Sequence, residues 1–127
     1  NADGTINKRE IRWLERCAEG GFGMIITCCT NVSKNGKGWI GEFEVYDDRF
    51  LHGMIDLQKA IRKHGALSIV QLFHAGSRSP IAVIGEQPIS SSPYVSGNQH
   101  KYLVKENYGF DKPKEMTIED IDQVVKD

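Results

Sequence analysis

Ser68-Ile69-Val70-Gln71-Leu72-Phe73-His74-Ala75-Gly76-Ser77-Arg78 is the stretch that decides the predicted fold. Its first half is short and apolar at successive positions, which is typical of a strand buried on both faces in a parallel α/β sheet. Polar residues and a glycine-containing turn follow where that strand should end. In parallel α/β folds ligands bind at the carboxyl ends of the strands, because the loops there vary while the sheet holds them in place. The stretch therefore predicts a buried parallel strand with a binding site at its end.

The first thirty residues predict a helix followed by a strand. Asn7-Lys8-Arg9-Glu10 has the spacing of a capping box, and Ile11, Leu14, Cys17 and Ala18 follow at helical spacing. Gly20-Gly21 ends this helix. Residues 24–27 then predict a short buried strand that ends at Cys28-Cys29-Thr30-Asn31.

A second helix is predicted between a long loop, residues 31–46, and the opening stretch. Asp47-Asp48 suits its amino end, since acidic residues cap helices and favour the positive end of the helix dipole, and Gly65 ends it. The order helix, strand, loop, helix, strand indicates a parallel α/β fold. The predicted buried face of this helix comprises Phe50, Leu51, Met54, Ile55, Leu57 and Ile61.

The last third of the chain predicts a long connection and then a helix. Residues 79–114 show no sustained period, and connections of this length inside a compact domain are usually functional. Thr117-Ile118-Glu119-Asp120 caps the final helix, whose apolar stripe is Ile118, Ile121, Val124 and Val125. Two parallel strands cannot bury both of their faces, so we expect this to be a piece of a larger barrel or sheet.

Composition excludes several classes of protein. With 127 residues and a net charge of -1, the chain makes one domain and offers no electrostatic case for nucleic acid or an anionic membrane. No apolar run approaches the roughly 18 residues that span a bilayer. Cys17, Cys28 and Cys29 form neither a disulfide framework nor a metal-binding spacing, which favours a reducing, cytoplasmic location and no metal site. The amino end has no initiator methionine and no signal-peptide pattern, as expected for a cut or trimmed start.

Over essentially its whole length the chain resembles the old yellow enzyme family of FMN-dependent oxidoreductases. Four segments in the family's order carry this resemblance, including a close match to the family's Gln-Leu-x-His-x-Gly-Arg. They are Asp3-Gly4 with Gly20-Gly21-Phe22-Gly23 and residues 24–27; Gln71-Leu72-Phe73-His74-Ala75-Gly76 with Arg78; Pro88 with Ser90-Ser91-Ser92; and Pro113-Lys114-Glu115-Met116-Thr117 before Asp120-Ile121.

The resemblance implies the fold and the activity. It implies an α/β fold, the TIM (β/α)8 barrel, of which residues 1–127 form a partial FMN-binding domain from helix 1 to the start of helix 3. It implies hydride transfer from NAD(P)H through FMN to an activated carbon–carbon double bond of a small-molecule substrate, as in α,β-unsaturated carbonyls. The catalytic residues are expected outside this segment. The alternatives are a related flavin barrel acting on dienoyl thioesters or amines, and a non-catalytic barrel fragment.

The resemblance also implies which residues contact the cofactor: Gln71, Cys29, His74 and Arg78. The amide of Gln71 suits the mixed donor and acceptor edge of the flavin pyrimidine, although a buried glutamine satisfied by backbone is the alternative. Cys29 stands where the family has a small residue, and packing beside the cofactor is a simpler role for it than nucleophilic attack. His74 is a candidate acid or a loop-holding hydrogen-bonding residue. Ser77 is an insertion before Arg78 relative to the family pattern.

Aromatic residues in the first long loop leave two interpretations open. Trp39, Phe43 and Tyr46 either form a lid over the site or cap the side of the barrel. The sequence also leaves the oligomeric state open.

Overall fold

The expected alternation of helices and strands is present in the computed structural model, which describes residues 1–94 and 112–127. Short 3₁₀ turns at Lys34–Gly36, Asp48–Phe50 and Gly76–Arg78 lie between the longer elements. The helices are α1 (Lys8–Glu19), α2 (Leu51–Arg62), α3 (Ile81–Ile84) and α4 (Ile118–Lys126), and the strands are β1 (Met24–Asn31), β2 (Phe43–Glu44), β3 (Leu67–Phe73), β4 (Ile89–Ser90) and β5 (Lys114–Glu115).

Helix α1 begins at the predicted capping box. The side-chain oxygen of Asn7 accepts hydrogen bonds from the backbone N–H groups of Arg9 and Glu10, and the Glu10 carboxylate accepts one from the Asn7 backbone at 2.7 Å. These contacts satisfy backbone donors that a helix start otherwise leaves free. The helix ends at Gly20, as predicted.

The main sheet has three parallel strands in the order β2-β1-β3. Met24 pairs with Leu67 and Ile26 with Ile69, but Cys29 pairs with Gln71. Strand β1 thus advances three residues while β3 advances two, which is a β-bulge, a feature found more rarely in parallel than in antiparallel pairs. Strands β4 and β5 form a separate parallel pair.

The hydrophobic core lies between one face of this sheet and helices α1 and α2. Its buried members are Ala18, Ile25, Leu57, Ile61 and Ala66. Ile11, Leu14 and Cys17 pack against them, which confirms the predicted inner face of α1.

The other face of the sheet is open along β1 and β3. Paired residues of neighbouring strands point to the same side of a sheet, and here Met24, Ile26, Leu67 and Ile69 are all exposed. We call this surface the open face, because the described residues place no element over it. The prediction of strands buried on both faces is therefore wrong: β1 is buried on one face only, and β3 also exposes Val70 and Leu72 on its opposite face.

Several predicted boundaries and faces were wrong. Strand β1 continues through Asn31 instead of ending at residue 27, and the predicted loop of residues 31–46 contains a 3₁₀ turn and the short strand β2. In α2, Leu51 and Ile55 are 54% and 39% exposed, so the buried face is narrower than predicted. Residues 79–114, predicted to lack elements, contain α3 and β4, while positions 95–111 of this connection, His100 included, lie outside the described residues.

Helix α4 begins at the second predicted capping box. The Thr117 hydroxyl accepts from Asp120 N at 3.2 Å, and the Asp120 carboxylate accepts from Thr117 N at 2.9 Å. Its predicted apolar stripe is largely exposed, since Ile118 and Val125 are uncovered by the described residues. Of the helices described, none combines the length and the apolar character that crossing a membrane requires.

Candidate functional site

Cys29 and Gln71 lie side by side where β1 and β3 approach their carboxyl ends. The two residues are register partners, and the Cys29 Sγ donates a weak hydrogen bond to Gln71 Oε1 at 3.7 Å. Gln71 follows Ile69 by two residues, so its side chain stands on the open face above the exposed apolar residues of the same strands. An amide and a thiol are thus presented together over an apolar floor.

The bulge in β1 determines this pairing, and Thr27 occupies it. The Gln71 backbone N–H donates to Thr27 Oγ1 at 3.0 Å, and the same hydroxyl donates to the Cys28 carbonyl at 2.8 Å. Thr30 Oγ1 lies 3.1 Å from both Thr27 Oγ1 and the Cys28 carbonyl oxygen. The Thr27 hydroxyl therefore bridges the irregular part of the ladder, and the Thr30 hydroxyl lies beside it without contacting β3.

His74 connects the loops that follow β1 and β3. Its Nδ1 accepts a hydrogen bond from Gly76 N at 3.0 Å, so the ring hydrogen of the neutral imidazole is on Nε2 and points to Asn35 Oδ1 at 3.3 Å. Burial lowers the pKa of His74, which favours this neutral form at pH 7. Both ring nitrogens have protein partners, an arrangement that suits a loop-holding histidine more than a proton donor.

Gly36 lies directly against the His74 ring. A Cβ added at this glycine would be 2.5 Å from His74 Cδ2 and 2.7 Å from Asn31 Oδ1. The Gly36 carbonyl also accepts from Ala75 N at 2.7 Å. The loop after β1 can therefore close onto the loop after β3 because residue 36 has no side chain.

The four residues predicted to contact a cofactor divide into two groups. Cys29 and Gln71 are adjacent, while His74 is turned into the loops and Arg78 is an exposed residue at the end of a 3₁₀ turn. Cofactor contact by all four remains a prediction. Of the two adjacent cysteines, Cys28 has a pKa raised by burial and by the proximity of Cys29, which keeps it a thiol at pH 7.

The aromatic residues of the first long loop occupy different places. Trp39 is exposed and packs against Phe73 with ring centroids 6.0 Å apart, close to the strand ends. Phe43 is buried in β2, and Tyr46 packs edge-on against Phe50. Of the three, Trp39 alone lies where a residue covering the site would be.

Sequence reasoning missed Thr27, Asn35 and Gly36 as parts of this site. Thr27 reads as an ordinary strand residue, and its contact with Gln71 depends on a register that the sequence does not display. Gly36 is one of three glycines in the first long loop, with Gly38 and Gly41, and nothing in the sequence distinguishes it from the other two. In residues 1–94 and 112–127, no group of three or more His, Cys, Asp or Glu residues could hold a metal ion.

Comparison with known proteins places this chain in a family of oxidoreductases. The profile of the NADH:flavin oxidoreductase / NADH oxidase family matches residues 1–127. "Probable NADH-dependent flavin oxidoreductase YqiG" of Bacillus subtilis is 31% identical over 127 residues, which are 99% of this chain and 31% of the relative. "NADH:acrylate oxidoreductase" of Vibrio harveyi is 30% identical over 98% of this chain and 12% of its own length. The chain thus spans about a third or less of these two relatives.

Solved structures show the same fold. The old yellow enzyme homologue from Zymomonas mobilis superimposes with a TM-score of 0.82 at 22% identity, over 99% of this chain and 35% of that one. The helices and parallel strands described above are therefore a segment of an old yellow enzyme TIM barrel, as predicted. The described residues do not by themselves close a barrel.

Proposed function

Because the chain belongs to the NADH:flavin oxidoreductase / NADH oxidase family, we propose that it supplies part of the FMN site of an enzyme that takes hydride from NADH or NADPH. The proposed acceptor is an activated carbon–carbon double bond of a small molecule. Family membership supports both the cofactor and the reductant. The observation that carries the assignment to particular residues is the Cys29–Gln71 pair at the strand ends.

The residues of this pair fit a flavin. Gln71 is exposed on the open face, and its amide offers two donors and one acceptor to the mixed edge of the flavin pyrimidine. The apolar side chains of Ile26 and Ile69 lie on the same face, where a planar aromatic ring would contact them. FMN, when bound, supplies the hydride chemistry.

The chain's own residues would bind and orient this ring. Donors from Gln71 toward the pyrimidine edge would stabilise the negative charge of the reduced form, which raises the reduction potential. Cys29 would pack beside the ring, and Trp39 would cover the site from the loop. His74, held neutral between Gly76 and Asn35, would fix the loops without donating a proton, so the proton that completes the reduction would come from outside this segment.

The substrate class is supported by the chemistry named in a relative. Acrylate is an α,β-unsaturated acid, and the relative named for it matches nearly the whole of this chain. A conjugated carbonyl withdraws electrons from the double bond, which is the property that hydride acceptance from a flavin requires. We therefore propose an α,β-unsaturated carbonyl or carboxyl compound as the substrate.

The first prediction tests Gln71 directly. In the flavin-loaded protein that contains this chain, Gln71→Ala should weaken FMN retention and lower the reduction potential of the bound FMN. The lost hydrogen-bond partner should reduce the binding free energy of FMN by an amount on the order of 1–3 kcal/mol. FMN content after gel filtration and spectroelectrochemical titration measure the two effects. Gln58→Ala is the matched control, because Gln58 is on α2 at the opposite side of the sheet. Unchanged retention and potential in Gln71→Ala would contradict the proposed site.

A further inference from the structure

The contact between Thr27 and Gln71 is unusual because a side-chain oxygen takes the place of a backbone carbonyl oxygen in the ladder of hydrogen bonds between β1 and β3. In a regular parallel pair the N–H of Gln71 would donate to a backbone carbonyl of β1. At the bulge it donates to Thr27 Oγ1 instead, at 3.0 Å. Thr27 is 4% exposed, so water does not offer Gln71 an easy substitute for this acceptor.

The Thr27 hydroxyl also bonds to the backbone of its own strand, β1. It donates its own hydrogen to the Cys28 carbonyl at 2.8 Å, while it accepts from Gln71. One hydroxyl group therefore joins the bulged backbone of β1 to the backbone position from which the Gln71 side chain extends. Without it, the N–H at this position would lose its acceptor at the point where the two strands go out of step.

We propose that Thr27 is a positioning residue of the flavin site: its hydroxyl holds the bulge in the form that sets Gln71 beside Cys29 on the open face. This inference rests on the proposed function. Thr27 itself points to the core side of β1, the side of Ile25, and would not touch the flavin. Its influence on the cofactor would pass entirely through the backbone of Gln71.

Thr30 provides a matched control within the same network. Its hydroxyl lies 3.1 Å from the Cys28 carbonyl oxygen and from Thr27 Oγ1, and it is fully buried like Thr27. Thr30→Val removes a buried hydroxyl of the same size from the same strand, but leaves the contact between Thr27 and Gln71 in place. A general loss of packing or polarity would affect both variants alike.

The first experiment compares Thr27→Val, Thr27→Ser and Thr30→Val in the flavin-loaded protein. Thr27→Val should weaken FMN affinity on the order of tenfold, which corresponds to about 1.4 kcal/mol, and should shift the flavin absorption spectrum. Thr27→Ser, which keeps the hydroxyl, should restore both, and Thr30→Val should change affinity less than threefold. Equal losses in the valine and serine variants of Thr27, or an equal loss in Thr30→Val, would overturn the proposal.

Hydrogen exchange gives a readout that needs no flavin. In the flavin-free protein the Gln71 amide should be protected from exchange, and Thr27→Val should reduce that protection while Thr27→Ser keeps it. Should the valine variant fail to fold, the serine variant decides the question, because loss of either protection or FMN affinity in it would contradict a role for the hydroxyl.

A double-mutant cycle shows whether Thr27 acts through Gln71. The shift in reduction potential caused by Thr27→Val should disappear when Gln71 is already alanine, since the side chain being positioned is then absent. Additive shifts would overturn the proposal and leave the proposed function intact. A Gln71→Ala variant with unchanged flavin properties would instead contradict the proposed function, and the exchange measurement would still report on Thr27.

Discussion

Gly36 is a position where one added methyl group would meet two side chains at once. Gly36→Ala should destabilise the protein by about 1–3 kcal/mol, because the new Cβ would overlap the His74 ring and the Asn31 amide. Gly23→Ala is the control, since a Cβ there has no neighbour within 4 Å. Denaturant unfolding measures both, and similar midpoints for the two variants would contradict the described closure of the loops.

Substitution of Cys29 tests whether the thiol proposed to lie beside the cofactor takes part in the reaction. Cys29→Ala should leave turnover within a few-fold, because the proposed role is packing and no proton transfer or covalent step would be lost. Steady-state rates at saturating substrate, with flavin content measured in parallel, provide the comparison. A collapse of the rate with FMN still bound would show that the thiol reacts.

At the scale of single residues, the sequence predicted the polar end of β3 but not what holds it. The resemblance to the family's motifs singled out Gln71 and Cys29, and each follows an apolar run at a predicted strand end. The roles of Thr27 and Gly36 depend on contacts with residues about forty positions away, Gln71 and His74. Local pattern carries no information about such contacts.

Helices α1 and α2 are joined by a cluster of charges around Glu15, a residue that lies almost fully buried between them. Its carboxylate pairs with Lys63 and with Arg12 Nη1, the latter at 2.9 Å, and His64 Nε2 lies 3.8 Å away. Hydrogen bonds from Lys63 and Arg12 lower the pKa of Glu15 to about 2. The contribution of this cluster to the stability of the packed helices therefore depends on pH.

The sign of that link follows from the lowered pKa. The carboxylate stabilises the fold above its ordinary pKa of 4.5, and this contribution is lost as the pH falls from 4.5 toward about 2. Glu15→Gln should be less stable than wild type at pH 7, with a difference that shrinks through this acid range. Urea unfolding at several pH values tests this, with Asp122→Asn on α4 as the control, because Asp122 is exposed and lies outside this cluster. A difference independent of pH would contradict the ion-pair explanation.

At the scale of elements, capped helices were predicted well and strand ends poorly. The capping boxes at Asn7 and Thr117 place donors and acceptors within three residues, so sequence alone defines those helix starts. The end of β1 and the existence of β2 depend on pairing between Thr30 and Phe43, which are separated by a loop. Pairing partners far apart in sequence explain why these elements were missed.

Among the residues that the structure describes, the main sheet has helices over one face and no element over the open face, and this determines how the chain should behave in isolation. Residues 1–127 alone should neither fold stably nor retain FMN, because Ile26 and Leu67 on the open face are 53% and 60% exposed and apolar sheet surfaces of this kind aggregate. Light scattering, a thermal melt and a visible spectrum of the purified chain would show this. A soluble monomer with a cooperative melt and yellow colour would contradict it.

Substitution on the open face separates this cause of aggregation from general instability. Ile26→Thr with Leu67→Thr should raise the solubility of the isolated chain without restoring FMN binding. The same pair of changes at Leu57 and Ile61 should lower solubility further, because those residues form the core.

The barrel class was predictable because the chain order of elements and four motifs agree with one architecture. The number of predicted strands also indicated that this segment alone could not bury both of their faces. The packing of the first long loop against the loop after β3 could not be predicted, because it depends on the contact between Gly36 and His74.

The extra residue at the bulge of β1 determines which side chain lies next to Gln71. Up to Ile26 the even-numbered residues of this strand face outward, and beyond the bulge Cys29, an odd-numbered residue, does so. An even ladder continued from Ile26 would pair Cys28 with Gln71, so the extra residue is what brings Cys29 beside the amide. In this strand the number of residues therefore decides the neighbour of Gln71 as much as their types do, and deleting one residue between Ile26 and Cys29 would remove the bulge while leaving Cys29 opposite Gln71.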